Sequence, residues 1–367
     1  YYVTANKNVT NEGVYVVERE KLLIGEPAQF VALPLPDLSR LTFISPQGFS
    51  VTNGELPPPG NFTVVYLQDD SFAGIAQGND HLKLWTVNVD WENPANSTIS
   101  QPVELGFGDG VSPFTSVFDG GSFSNLDQPG ENSPDIDALQ AIIMNQAQYR
   151  RFCDYNSAVF NFVVDTAPGA EELAGIRWYE LRQDVDGGPW TVFQEGTYTA
   201  PDGRHAFSGS MAMDVFGNIG MGYTSVGSNV GERISIRYTG RLFEDPLGDM
   251  TISEQLIAQS SANNPGNRLA DYVHLTVDPE DGQSFWHIAE YFRPQRSDVV
   301  GVFKIAEIDP VDAAAVNVVS PVTSSIEVDQ AISIEIINYG ANTLSNVPVS
   351  YSLNGSDFVN ETFTGSI

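Results

Sequence analysis

Arginines and carboxylates are the residues here whose types could do chemistry together. Arg150, Arg177 and Arg237 come from separate apolar segments; Glu180 shares the segment of Arg177 and Arg241 that of Arg237, and Asp271 with Tyr272 and Glu290 with Tyr291 add two neighbouring pairs. Three guanidiniums converging on one point would clamp a carboxylate through paired, charge-assisted hydrogen bonds. A tyrosine beside a glutamate could then supply a nucleophile, and an aspartic acid a proton for a leaving sugar oxygen. If the chain is an enzyme, its catalytic set is Arg150, Arg177, Arg237, Asp271, Tyr272 and Glu290. The competing reading has the same arginines pairing with Asp214, Asp278 and Glu290 to fasten neighbouring elements. With 14 tyrosines and many arginines available, the ingredients alone do not make a site, and the fastening reading is preferred.

Metal chemistry is restricted to hard cations. His81, His205, His274 and His287 stand far apart without zinc spacing. Asp184 and Asp186, and Asp278 and Asp281, fall on turn-like segments where carboxylates could hold calcium; no other cofactor is expected. Phosphate loops, nucleophile elbows and catalytic triads are missing. The lone cysteine, Cys153, permits no intrachain disulfide and reads as a small buried hydrophobe. Trp85, Trp91, Trp178, Trp190 and Trp286 could stack on sugars, but core packing is the commoner use of such residues.

The 367 residues carry 47 acidic and 17 basic groups, a net charge of −30. Such a field repels phosphate, which excludes nucleic acid as a partner. No stretch reaches the ~18 apolar residues of a membrane-spanning helix, so no insertion is expected. Lysine is confined to Lys7, Lys21, Lys83 and Lys304. An acidic, lysine-poor surface suits salt water, where screening tempers self-repulsion. Asn-x-Ser/Thr sites at Asn8, Asn61, Asn96, Asn354 and Asn360 matter only in a eukaryotic host.

These residues must be positioned by strands. Short β-branched and aromatic runs recur, punctuated by 33 glycines and 22 prolines, and long helical periodicity is nearly absent. Strands are expected at Phe62–Gln68, His81–Val89, Ala158–Asp165, Ile219–Thr224 and Ser284–Phe292, among others, and also at Ala141–Tyr149, where a short helix started by Ser133-Pro134-Asp135 is the alternative. Residues 45–60 and 106–132 read as surface loops. The segment from Met211 to Ile219 aligns with that from Leu275 to Gln283: an apolar strand, an Asp-led turn with glycine, then a second strand. Asp caps such a turn and glycine takes its positive φ. A repeated antiparallel hairpin of this kind is the unit of a β-propeller blade.

Specific motifs carry a resemblance. Tyr1-Tyr2-Val3-Thr4-Ala5-Asn6, Gln148-Tyr149-Arg150, Gly175-Ile176-Arg177-Trp178-Tyr179-Glu180-Leu181-Arg182, Arg237-Tyr238-Thr239-Gly240-Arg241 and Val277-Asp278-Pro279 together resemble uncharacterised bacterial secreted β-propellers, distantly similar to sialidase and BNR-repeat proteins. The chain departs from that pattern at Tyr155-Asn156 and at residues 268–273. The resemblance covers residues 1–309 and implies an all-β, sialidase-like propeller with its N-terminal blades missing. Residues 310–367 keep only Tyr339, Tyr351, Phe358 and Phe363 as aromatics and resemble the start of a CARDB-type, Ig-like sandwich, as in surface proteins of marine Bacteroidota. About seven strands make such a sandwich; some four are expected before Ile367, so it reads as truncated.

The resemblance implies an extracellular or cell-surface protein. Its preferred function is non-catalytic adhesion or binding of a glycan or protein ligand. A sialidase-like glycoside hydrolase and a cargo of the type IX outer-membrane secretion translocon are the alternatives. Any binding site is expected near a propeller's central channel, where an arginine cluster would attract carboxylate or sulfate.

Overall fold

A computed structural model describes residues 1–4, 12–38, 45–52, 54–71, 78–167, 172–269, 271–306, 311–320, 331–340, 342–352 and 356–367. The protein is all-β, with 47% of residues in strands and 3% helical. It divides into two units, Tyr1–Ile305 and Ala306–Ile367.

The first unit is a series of antiparallel sheets. β1 (Tyr2–Thr4), β2 (Glu12–Val17) and β3 (Phe30–Pro34) form the first sheet, with a five-residue helix, Arg19–Leu23, between β2 and β3. β4 (Gln47–Gly48) belongs to the second sheet, whereas β5 (Ser50–Val51) pairs in parallel with a strand of the third. The second sheet continues through β6 (Phe62–Gln68), β7 (His81–Asn88) and β8 (Thr98–Ile99), and β9 (Val103–Leu105) also pairs with β7. The third sheet orders β13 (Thr191–Tyr198), β12 (Ala174–Gln183), β11 (Asn156–Asp165) and β10 (Gln148–Arg151), then β5. β14 (His205–Met213), β15 (Ile219–Val226), β16 (Ser235–Arg241) and β17 (Ile252–Gln259) make the fourth in simple succession. β18 (His274–Val277), β19 (Phe285–Arg293) and β20 (Gln295–Phe303) make the fifth.

Each sheet shares a buried apolar cluster with the next in chain order. Val14, Val16, Val64 and Trp85 join the first and second. Leu67, Leu84, Phe160 and Tyr179 join the second and third. Val159, Trp178, Met211 and Tyr223 join the third and fourth. Ala212, Leu275, Val277 and Phe285 join the fourth and fifth. Central strands are consequently buried on both faces: all ten residues of β11 are. The aligned Asp-led segments are the β14–β15 and β18–β19 hairpins. Asp214 accepts the Phe216 and Asn218 amides at 2.9 Å, and Asp278 accepts the Glu280 amide at 2.9 Å.

Several sequence expectations are corrected. Residues 141–147 are neither strand nor helix; they run irregularly and mostly buried, with Leu139 and Ala141 at φ of 52° and 63°, and β10 begins only at Gln148. That stretch is apolar because Ile143 and Ala147 plug the core between the second and third sheets. Residues 45–60 are not simply a surface loop, since they hold β4, β5 and the buried Phe49. Residues 106–132 carry no long strand, yet Val111, Phe114, Phe118 and Leu126 are buried. Cys153 is exposed, not buried. It sits at the tip of the tight β10–β11 turn, which the Phe152 amide closes on the Tyr155 carbonyl. Trp85, Trp178 and Trp190 are core residues, but Trp286 is 42% exposed.

The second unit holds two antiparallel hairpins, β21 (Ala313–Ser320) with β22 (Ser333–Asn338), and β23 (Ser345–Tyr351) with β24 (Val359–Ser366). None of its described residues is buried. The expected domain junction at residues 309 and 310, the turn at Asn354-Gly355 and the glycosylation motif at Asn8 lie outside the described residues.

Candidate functional site

The candidate arginines are held at three places by three sets of groups. Arg150, on β10, is buried and donates from Nε to the Met213 carbonyl at 3.0 Å. Arg177, on β12, donates from Nε to Thr197 Oγ1 at 2.7 Å and from Nη1 to the Ser112 carbonyl at 3.2 Å; Glu195 lies 3.4 Å from Nη1. Arg237, on β16, donates to Ser235 Oγ at 3.0 Å and to Glu254 Oε1 at 2.7 Å. Glu254 Oε1 also takes Arg204 Nη2 at 2.8 Å, and its other oxygen accepts the Tyr223 hydroxyl. This is a tyrosine–glutamate pair, which sequence reasoning placed elsewhere. Burial pushes the Tyr223 phenol far above its ordinary range, so it is a fixed donor and not a ready nucleophile.

The carboxylate candidates are likewise engaged. Asp271 pairs with Arg268, which also holds Asp137. Tyr272 is half-exposed. Glu290 on β19 pairs with Arg296 at 3.1 Å. Glu180 accepts Arg182 Nε and Gln194 Nε2, both at 2.6 Å. Arg241 donates to the Asp245 carbonyl at 2.6 Å, and Tyr291 is buried.

Of the four expected calcium ligands, Asp186, Asp278 and Asp281 accept hydrogen bonds from the protein. Asp186 binds Arg151 at 2.7 Å and Asn156 at 2.9 Å, while Asp184 stands exposed on the same turn. Asp278 accepts the Trp286 indole at 3.0 Å. Asp281 accepts the Gln283 and Ser284 amides at 2.9 and 2.8 Å, the Ser284 hydroxyl at 2.7 Å and Lys304 at 3.0 Å. Burial alone would raise its carboxyl, but these donors outweigh burial and hold it well below the usual range.

Among the described residues, the three carboxylates that converge are Asp69, Asp70 and Asp80, each with an oxygen within 4.8 Å of the others. Sequence reasoning missed them, although the signal was present. β6 ends at Gln68, β7 begins at His81 and those two residues pair, so Asp69 and Asp80 flank one hairpin end. Asp69 accepts the Ser116 hydroxyl at 2.6 Å; Asp80 accepts the Asp70 and Phe114 amides at 2.8 and 2.9 Å. Burial raises the Asp80 carboxyl, and the charges of Asp69 and Asp70 push the same way. An all-oxygen set of this kind matches the donor preference of a hard cation. Beside it opens a cleft of about 530 Å³ lined by Asp70, Asp80, Phe114, Asp165, Arg177 and Thr197. With Arg177 neutralised by Glu195, the cleft is acidic, the reverse of the anion pocket expected from the arginines.

No known family profile matches the chain, and no curated protein does. Among solved structures, a protein of unknown function from Dyadobacter fermentans is similar to it over 71% of this chain and 94% of that one, at 10% identity and a TM-score of 0.23. A likeness that low carries no argument about fold.

Proposed function

We propose that the Tyr1–Ile305 unit is a run of β-propeller blades acting as a non-catalytic binding module for a glycan or protein outside the cell or at its surface. The blade reading is supported by antiparallel sheets that each share a core with the next in chain order, the arrangement of radially repeated blades. In this reading the two hairpins of the second unit are the opening strands of an Ig-like sandwich.

One observation carries the non-catalytic reading: Arg177 and Arg237 are closed against Glu195 and Glu254. A glycosidase that clamps a sugar carboxylate needs free guanidiniums that converge. The experiment incubates the protein with a panel of sialosides and marine polysaccharides, following both retention and sugar release. Retention without release is expected. Turnover that disappears in Arg237→Ala and Asp271→Ala would overturn the proposal in favour of a hydrolase.

A further inference from the structure

The junction between the fourth and fifth sheets has an unusual seat for a titratable ring. β15 turns Gly220, Gly222 and Thr224 toward the fifth sheet. A Cβ on Gly220 would lie 2.8 Å from the Phe285 ring, and one on Gly222 only 2.4 Å from the His287 imidazole. The two rings of β19 thus sit on bare backbone. His287 has no exposed surface, and no side chain hydrogen-bonds either ring nitrogen. Its surroundings are Gly222 on β15, Leu275 and Gly301 as register partners on β18 and β20, and His274 on β18. Among the described residues, His274 is the titratable group acting on it, and a charge there would oppose a second one. His274 itself engages Asn145 at 2.8 Å. Apolar side chains join the fifth sheet to the fourth in two clusters, one of five buried members around Phe285 and Phe303 beside His287, and one of fifteen that includes Phe207, Ile236, Ala289, Tyr291 and Phe292.

We infer that His287 is an acid-operated latch: as the neutral ring it seats the fifth sheet on the fourth, and on taking up a proton it releases β18–β20 as one unit. A buried imidazolium would need partners for both N–H groups and for its charge; the His274 backbone offers one such partner, and the charge acting on the ring, that of His274, is of the same sign. Burial accordingly pushes the ring from 6.5 down to about 4. The closed state disfavours the proton and the open state accepts it. The latch is therefore fully closed above pH 6.5 and weakens as pH falls from there toward 4. Linkage raises the open-to-closed ratio by less than tenfold per unit, about 40-fold between pH 6.5 and 4.5.

Hydrogen exchange on the intact 367-residue chain, corrected for intrinsic rates, tests this. Protection of β18–β20 is expected to fall up to about 40-fold over that interval while β14–β17 stays protected. The selective loss should vanish in both His287→Leu and His287→Gln. Ring NMR on the wild-type chain gives a readout that survives if neither variant folds, since protonation of His287 must coincide with opening. Equal loss of protection in both sheets, an unchanged loss in the variants, or a ring that titrates near 6.5 with the fifth sheet still protected would each overturn the latch.

Discussion

The Tyr1–Ile305 and Ala306–Ile367 units use the same kind of strand yet reach different ends. In the first, β11 buries every residue from Asn156 to Asp165 because a sheet lies on each side of it. In the second, β21 leaves Val316, Val318 and Val319 at 37, 54 and 52% exposure. β11 is buried although it carries two asparagines, a serine and an aspartate, so what differs is the second layer, present in the first unit and not found among the described residues of the second. Burial of one large apolar side chain contributes about 1.5–3 kcal/mol, and a lone two-stranded hairpin is marginal without it. Alternating sequence makes a strand, and stacking makes it stable.

The largest effect that could break this contrast comes from core truncation. Phe160→Ala should destabilise the first unit by about 3–5 kcal/mol, as for other buried aromatics. Ile334→Ala in β22 should change stability by less than about 0.5 kcal/mol, as at exposed sites. Urea unfolding monitored separately in each unit would check both values. Comparable costs at the two positions would erase the difference between the two units.

Within the first unit, the junctions themselves can be ranked. Gly222→Ala forces a methyl group into the His287 ring and should cost about 1–3 kcal/mol by overpacking. The loss should appear first in β18–β20. A smaller effect is expected from Arg237→Ala. Arg204 still faces Glu254 after that change, and Arg237 and Glu254 keep 18 and 15% of their side-chain surface exposed, so about 1–2 kcal/mol is lost and not the full cost of orphaning a buried charge. A double-mutant cycle with Glu254→Gln would isolate the pair. Coupling near zero would remove the fastening role assigned to these arginines.

Much of the strand pattern was legible, because alternation and turn residues are local. Phe62–Gln68, His81–Asn88 and the two Asp-led hairpins follow from it directly. The failures are non-local. Ala141–Tyr149 has a strand's composition, yet only its last two residues pair, and the rest is buried against sheets formed elsewhere. β5 is two residues long and exists because β10, some hundred residues on, lies beside it in parallel. Phe30–Pro34 was hidden by Pro34 and the flanking Pro27 and Pro36, and an edge strand tolerates a terminal proline. The site suffered likewise. Arginines can be found in a sequence, but Glu195 and Glu254, which neutralise them, become visible only through cross-strand register. The convergence of Asp69, Asp70 and Asp80 required pairing β6 with β7 before asking what stood at the end.

The smallest expected effect concerns Asp281, where the sequence suggested calcium and the structure supplies protein donors. Its carboxylate caps a turn through Gln283 and Ser284 and meets Lys304, with about a third of its side chain exposed. Asp281→Asn keeps one acceptor oxygen and should therefore cost only about 0.5–1 kcal/mol. Because the folded carboxyl is held below its ordinary value of 3.8, this contribution is complete above pH 3.8 and is lost as pH falls below it. A calcium ion at this turn would have to displace the Lys304 ammonium, exchanging one cation for another while the amides keep their hold. Melting of the wild-type chain should be the same with millimolar calcium as with a chelator, and the variant's deficit should be equal in both. A calcium-dependent rise in melting temperature that disappears in Asp281→Asn would restore the metal reading and make this turn a ligand site, not a cap.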